Sequence, residues 1–242
     1  MYKIALNRYI FLLAVLIFFH LPGVDAQVLD TSAYGVPVMR QVVDYHKLVQ
    51  TDSFRRMVEL RSLAPGIRYD LRYGTVNNFM HTQMYRPAPR VTYLRLAAAR
   101  ALAGVQKELN AKGYGLKIFD AYRPYSVTVA FWELVKDERY VANPSKSSGH
   151  NRGLAVDCTI IDLATGRELD MGTGFDNFTD TAHHTFEALP KAVLGNRKLL
   201  RETMERSGFT AIKTEWWHYF RENDRGYEVL DLPFGKLRQI GK

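Results

Sequence analysis

The hydrophobic and polar positions divide the chain into helices and strands that do not alternate regularly. Three stretches carry apolar residues at helical spacing and predict helices: 93–111, 126–136 and 196–207. Five shorter stretches, apolar or aromatic, predict strands: 67–73, 116–119, 154–161, 168–171 and 216–220. Because the elements come in blocks rather than as repeated strand–helix–strand units, the pattern predicts an α+β single domain with a mainly antiparallel central sheet flanked by helices.

Between these elements, small and polar residues predict turns and loops. Thr165 and Gly166 predict a hairpin turn into the strand at 168–171. The stretch 143–153, with one proline, three serines and two glycines, predicts a loop.

The N-terminus resembles an export signal. Lys3 and Arg8 precede an apolar run over 9–19, and a small-residue site ends at Ala26. The run is shorter than the roughly 20 residues of a membrane span, so we expect residues 1–26 to be a cleaved signal peptide that leaves no stable membrane anchor. The organisation predicted is thus signal 1–26, N-terminal extension 27–62 and catalytic domain 63–242, exported to the periplasm or secreted.

Charge and cysteine content narrow the class of protein. The net charge is +8, but basic residues are scattered without a block of five or more, which favours an ordinary soluble surface and no nucleic-acid partner. Cys158 is the one cysteine, so the chain has no internal disulfide. It alternates with apolar residues and is predicted to be buried rather than catalytic.

Two segments carry candidate chemistry. In the first, His150 lies in a loop between Gly149 and Gly153. Asp157 follows on a strand, where the residues on either side of it on the same strand face, Ala155 and Thr159, are small. The glycines let the backbone turn so that the imidazole can approach the carboxylate. Such a pair is either a structural hydrogen bond or two ligands of a metal site.

The second segment, Glu-Trp-Trp-His, offers Glu215 and His218. Two histidines and one aspartate make a three-ligand site with an open position, which suits catalytic zinc, and a glutamate can act as base on the bound water. In a regular strand Glu215 and His218 would face opposite sides, so this interpretation requires a bend or bulge near Glu215.

Both segments resemble the M15 family of zinc D,D-peptidases, specifically its D-Ala-D-Ala dipeptidases. The family pattern Ser-x-His-x-x-Gly-x-Ala-x-Asp is matched over 148–157, and Glu-x-x-His over 215–218. Further similar segments are Asp-Ala-Tyr-Arg-Pro (120–124, with alanine where the family has glycine), Met-Gly-Thr-Gly-Phe-Asp (171–176) with the later pair His183-His184, and Tyr-Asp-Leu-Arg-Tyr (69–73) with Asn78-Phe79. The resemblance covers roughly 63–234 and implies a hedgehog/D,D-peptidase-like fold.

The resemblance implies roles for eight residues. One zinc ion per chain would be held by His150, Asp157 and His218. Glu215 would be the general base, and Arg123 would stabilise the oxyanion. Asp176, Tyr73 and Ser148 would bind the dipeptide, with Asp176 near its free amine.

The activity implied is zinc-dependent hydrolysis of D-alanyl-D-alanine to free D-alanine, in turnover of dipeptides from peptidoglycan. A D,D-carboxypeptidase acting on peptidoglycan stem peptides is the alternative, but an acid at Asp176 would meet the free amine of a dipeptide. A zinc-bearing binding module without catalysis is a third hypothesis, which the presence of Glu215 and Arg123 disfavours. L,D-dipeptide specificity and the oligomeric state stay open.

Overall fold

The computed structural model describes residues 29–240, and the predicted signal peptide lies outside this range. The strands are β1 (Asp30–Thr31), β2 (Pro37–Met39), β3 (Met57–Glu59), β4 (Arg68–Tyr69), β5 (Tyr93–Arg95), β6 (Tyr114–Asp120), β7 (Ala155–Asp162), β8 (Thr210–Ala211), β9 (His218–Phe220) and β10 (Val229–Leu230). The helices are α1 (Val42–Thr51), α2 (Leu60–Leu63), α3 (Leu96–Asn110), α4 (Tyr125–Val135), α5 (Gly149–Arg152), α6 (Lys191–Arg206) and α7 (Phe234–Ile240). None of the helices in this range combines the length and apolar character that crossing a bilayer requires.

A five-stranded sheet in the order β4-β6-β7-β9-β8 forms the centre of the fold. Only β4 and β6 run parallel, while every other neighbouring pair is antiparallel. The predicted α+β class with a mainly antiparallel central sheet is therefore confirmed. The register shifts between Ile118 and Asp120, so that Asp120 lies opposite Asp157, and Asp157 in turn lies opposite His218.

Helices α3 and α6 cover one face of this sheet. On α3 the buried residues Ala98, Leu102, Val105 and Leu109 recur at helical spacing, and they share one core with the strand residues Leu116, Ile118, Val156, Cys158 and Ile160. Burying one such leucine or isoleucine contributes roughly 1.5–3 kcal/mol. The other face of β7, with Ala155, Asp157 and Thr159, is also buried, so Asp157 lies inside the protein.

The segment before the sheet packs against the end of the chain. Strand β2 lies between β1 and β10, pairing in parallel with β10 so that Val38 is opposite Val229. From α1, the buried Tyr45 hydroxyl accepts a hydrogen bond from the Met57 amide (2.6 Å) and donates to the Arg55 carbonyl (3.2 Å). The part of the predicted extension that the structure describes therefore packs on the domain.

Several element boundaries differ from the sequence predictions. The helix predicted over 93–111 begins three residues later, because Tyr93–Arg95 form β5, which pairs with β3. The strand predicted over 67–73 is limited to β4, because the chain enters a 3₁₀ turn at Arg72–Gly74. Helix α6 begins at Lys191, directly after Pro190, rather than at 196.

Two loops also differ in part. The predicted loop 143–153 contains the helical turn α5, which carries His150. The predicted hairpin turn is present: Gly166 adopts a φ of +72°, and Asp162 and Arg167 are hydrogen-bonded across it. The returning segment makes a single bridge, Ile161 to Glu168, instead of a regular strand.

Candidate metal and catalytic site

Three side chains that could hold a metal converge at one end of β7. Ligand atoms of His150, Asp157 and His218 all lie within 4.8 Å of one another, and His150 and Asp157 are buried. His218 Nδ1 is 2.9 Å from Asp157 Oδ1 and 3.2 Å from His150 Nε2, and His150 Nε2 is 3.4 Å from Asp157 Oδ2. Within the described residues this is the single cluster of its kind.

The donor set fits a divalent metal such as zinc. His150 Nδ1 donates to the Ala121 carbonyl at 2.7 Å, which leaves the lone pair of Nε2 facing the cluster. The nitrogens His150 Nε2 and His218 Nδ1 and the Asp157 carboxylate therefore face one another across a short gap. Burial alone would raise the pKa of Asp157, but His150 and His218 outweigh burial and hold this pKa below its usual value.

Local structure around α5 fixes His150. Ser148 caps the turn: its hydroxyl accepts from the His150 amide (3.3 Å), and its own amide donates to Asn151 Oδ1 (2.9 Å). Gly153 ends the turn with a φ of +68°, and a Cβ there would lie 2.6 Å from the end of the Met57 side chain. The structure thus places Ser148 beside the cluster as a helix cap; its predicted contact with substrate stays a prediction.

Glu215 reaches the cluster through a bend before β9. The backbone turns at Glu215, whose carbonyl accepts from the His218 amide (3.4 Å), and β9 begins only at His218. This is the bend that the sequence interpretation required. Glu215 Oε2 lies 3.9 Å from His218 Nδ1. Burial, with a contribution from the nearby Asp157 carboxylate, raises the pKa of Glu215 to about 8.

Arg123 lies beside Asp157 and is held by Asp120. Its Nε and Nη2 are both 2.9 Å from Asp120 Oδ2, and Nη2 is 3.7 Å from Asp157 Oδ2. The guanidinium also lies over the rings of Tyr73 and Phe131, at 5.2 and 4.8 Å from their centroids. A cation this well buried and paired is fixed in position beside the candidate metal ligands.

Asp176 and Tyr73, both predicted to bind substrate, contact each other. The Tyr73 hydroxyl lies 3.0 and 3.2 Å from the two carboxylate oxygens of Asp176. Burial, then the charge of Asp157, raises the pKa of Asp176 well above its usual value. A cavity of about 240 Å³ opens beside Asp176 and is also lined by Phe79 and Phe175. An ammonium group entering here would compensate the charge of this partly buried carboxylate.

The loop that carries Asp176 is anchored to the segment that carries Glu215. Trp216 Nε1 donates to Thr173 Oγ1 at 2.8 Å, and the Phe175 ring packs on Phe119 and Trp217. Asp176 itself has a φ of +58°, unusual for a residue with a Cβ.

Sequence reasoning missed three polar residues that shape the site. Asp120 was visible within the Asp-Ala-Tyr-Arg-Pro segment, three residues before Arg123, but had no assigned role. Asn151 donates to the Arg123 carbonyl (3.0 Å) and to Thr128 (2.8 Å), joining the histidine turn to α4. Tyr85 donates to Asp120 Oδ1 at 2.7 Å; it lies far from Asp120 in sequence, and no local motif marks it.

Comparisons with known proteins find a matching family and similar chains. Residues 54–234 match the peptidase M15 family, described as D-ala-D-ala dipeptidase. The D-alanyl-D-alanine dipeptidase of Escherichia coli is 33% identical over 178 residues, covering 74% of this chain and 91% of the relative. That of Enterococcus faecalis is 32% identical over 197 residues, covering 72% and 92%. The solved LdcB LD-carboxypeptidase aligns with a TM-score of 0.37 at 22% identity, over 56% of this chain and 62% of that one.

Proposed function

Since this chain belongs to the D-Ala-D-Ala dipeptidase family of M15 peptidases, we propose that it hydrolyses free D-alanyl-D-alanine to D-alanine with one zinc ion. The observation that carries the proposal is the convergence of His150, Asp157 and His218 within 4.8 Å, with Glu215 beside them. These three residues would hold the metal. When bound, zinc supplies a Lewis acid that polarises a carbonyl and lowers the pKa of water.

Glu215 serves as the general base in this proposal. Its carboxylate lies next to His218 but outside the triad of ligands, where it can take a proton from the attacking water and pass it to the leaving amine. A nearby divalent cation would lower the raised pKa of Glu215 and favour the ionised form that a base requires.

Arg123 stabilises the negative charge that develops on the carbonyl oxygen. Its guanidinium is buried and oriented by Asp120 before substrate arrives, so little reorganisation is needed during reaction. The charge of Asp157 3.7 Å away does not cancel this role, because that carboxylate would be shared with the metal.

Asp176 and Tyr73 make the enzyme selective for a dipeptide with a free amine. The carboxylate is partly buried beside the cavity and accepts a hydrogen bond from Tyr73, so it can pair with an ammonium group. An acylated amine lacks that charge and would leave the partly buried Asp176 carboxylate without a cation.

The test compares D-alanine release from D-Ala-D-Ala and from N-acetyl-D-Ala-D-Ala, with and without a chelator, followed by zinc addition. We expect cleavage of the free dipeptide only, abolished by the chelator and restored by zinc. An Asp176→Asn variant should lose most activity on the free dipeptide and narrow the difference between the two substrates. Preferential cleavage of the acylated peptide would instead favour the D,D-carboxypeptidase, and cleavage of neither would contradict the proposed function.

We also propose that the mature protein acts outside the cytoplasm, on dipeptides released in peptidoglycan turnover. The basic start, apolar run and small-residue site ending at Ala26 support export. N-terminal sequencing of protein recovered from extracytoplasmic fractions should find a chain that begins at Gln27. Full-length protein confined to the cytoplasm would contradict export.

A further inference from the structure

We infer that Tyr85 is a positioning residue that aligns Arg123 for the reaction through the buried carboxylate of Asp120; this inference rests on the proposed function of the site. Tyr85 is 3% exposed and Asp120 is 1% exposed. Two groups divide the Asp120 carboxylate between them. The Tyr85 hydroxyl donates to Oδ1 at 2.7 Å, and the Arg123 guanidinium donates to Oδ2 through Nε and Nη2.

The hydroxyl determines how the Asp120 carboxylate is rotated. With Oδ1 held by Tyr85, Oδ2 faces Arg123 and accepts both guanidinium donors. Without this hydroxyl, Oδ1 would be a buried acceptor with no donor, and the carboxylate would be free to rotate away from Arg123.

The surrounding contacts fix the ring of Tyr85 but do not replace its hydroxyl. Its amide donates to the Tyr73 carbonyl at 2.9 Å. Its ring packs at 4.9 Å from Phe234 and 6.0 Å from Tyr73, measured between centroids. A phenylalanine at position 85 can make the same ring contacts, so Tyr85→Phe removes the hydrogen bond and little else.

Asp120 also lies near His150, one of the residues proposed to hold the metal. Its Oδ2 is 3.8 Å from His150 Nδ1, but that nitrogen is already bonded to the Ala121 carbonyl at 2.7 Å. Loss of the Tyr85 hydroxyl should therefore disturb Arg123 much more than it disturbs the metal ligands.

The experiment compares wild type, Tyr85→Phe, Arg123→Lys and the double variant, all loaded with zinc. We expect Tyr85→Phe to lower kcat for D-Ala-D-Ala about ten-fold, the effect of one ordinary hydrogen bond, with KM and zinc affinity within about two-fold of wild type. In the Arg123→Lys background the same substitution should have little further effect, because its target is gone. Equal losses in both backgrounds, or a loss confined to zinc affinity, would overturn the inference.

A second readout is independent of the substrate. The Arg123 Nε proton, hydrogen-bonded to Asp120, can be followed by ¹⁵N NMR and assigned by its absence in Arg123→Lys. We expect its exchange with solvent to be at least several-fold faster in Tyr85→Phe. The control is Tyr45→Phe, which removes a similarly buried, doubly bonded hydroxyl in the N-terminal part of the fold; it should lower stability but change neither kcat nor this exchange.

The two readouts separate the inference from the proposed function. An inactive wild type whose Arg123 proton still responds to Tyr85→Phe would contradict the dipeptidase assignment and support the positioning role. An active wild type in which Tyr85→Phe changes neither kcat nor exchange would contradict the positioning role alone.

Discussion

A substitution at Gly153, which ends the turn that carries His150, should lower the stability of the whole domain. Its φ of +68° is in the left-handed region, which costs a residue with a Cβ about 1–2 kcal/mol. A Cβ at Gly153 would also lie 2.6 Å from both Cε and Sδ of Met57 and 3.2 Å from the Arg95 amide nitrogen. The Met57 side chain can move, but the Arg95 backbone is bonded to the Gly153 carbonyl (2.8 Å) and cannot move easily.

We therefore expect Gly153→Ala to lower the free energy of unfolding by about 2–5 kcal/mol. This combines the backbone term with the roughly 1–3 kcal/mol that overpacking costs in a well-packed interior. Urea denaturation followed by tryptophan fluorescence measures the change directly. In a thermal scan, each kcal/mol should lower Tm by about 2–4 °C in a domain of this size.

Gly166→Ala is the matched control. Gly166 has nearly the same φ, +72°, but a Cβ there meets nothing within 4 Å. It should show the backbone term alone, about 1–2 kcal/mol. Equal destabilisation by the two substitutions would refute the packing argument, and a loss below about 1 kcal/mol for Gly153→Ala would refute the backbone argument as well.

Three further predictions concern single side chains. Burial, helped by the positive charge of Arg201, lowers the pKa of His184 to about 4, from 6.5 in an unfolded chain. The unfolded state therefore binds a proton first as the pH falls from about 6.5 to 4, so His184→Gln should recover up to about 3 kcal/mol of the stability that the wild type loses over that window. Urea denaturation at several pH values measures this, and a His184→Gln variant with the pH profile of the wild type would count against it. Burial also raises the pKa of the Cys158 thiol, so an aromatic disulfide reagent should label it only after unfolding, and rapid labelling of the native protein would be the contrary result. Glu215→Gln should lower kcat by about 10²–10⁴ while zinc affinity stays near that of wild type; a variant that loses zinc would identify Glu215 as a ligand instead of a base.

The chemistry of the site could be predicted because its residues are marked locally. His150 is flanked by glycines, Asp157 has small neighbours, and Glu215 and His218 lie in one short aromatic segment. What the sequence could not show is the pairing that joins these segments. Asp157 meets His218 because β7 and β9 pair in that register, and this pairing is set by contacts between distant parts of the chain.

The elements and residues that the sequence did not predict also depend on contacts between distant parts of the chain. Tyr93–Arg95 have helix-compatible residues but form β5, because Leu94 pairs with Val58 on β3 and is fully buried there. Tertiary contacts thus override a weak local preference. The capped turn at α5 depends on Ser148 and Asn151 bonding to the backbone, and a serine- and glycine-rich stretch equally predicts a loop. Tyr85 has no local signal, since it lies in an irregular segment and its significance comes entirely from Asp120 on strand β6.

The parallel pairing of β2 with β10 has a consequence for how fast this chain can fold. Val38 meets Val229, so this pairing requires closure of a loop that contains the entire central sheet. Contacts between such distant residues carry a high entropic cost and slow the folding reaction. During synthesis, strand β2 can pair with β1 at once, but its other edge lacks β10 until residues 229–230 have left the ribosome. Until then, that edge is open to pairing with other chains.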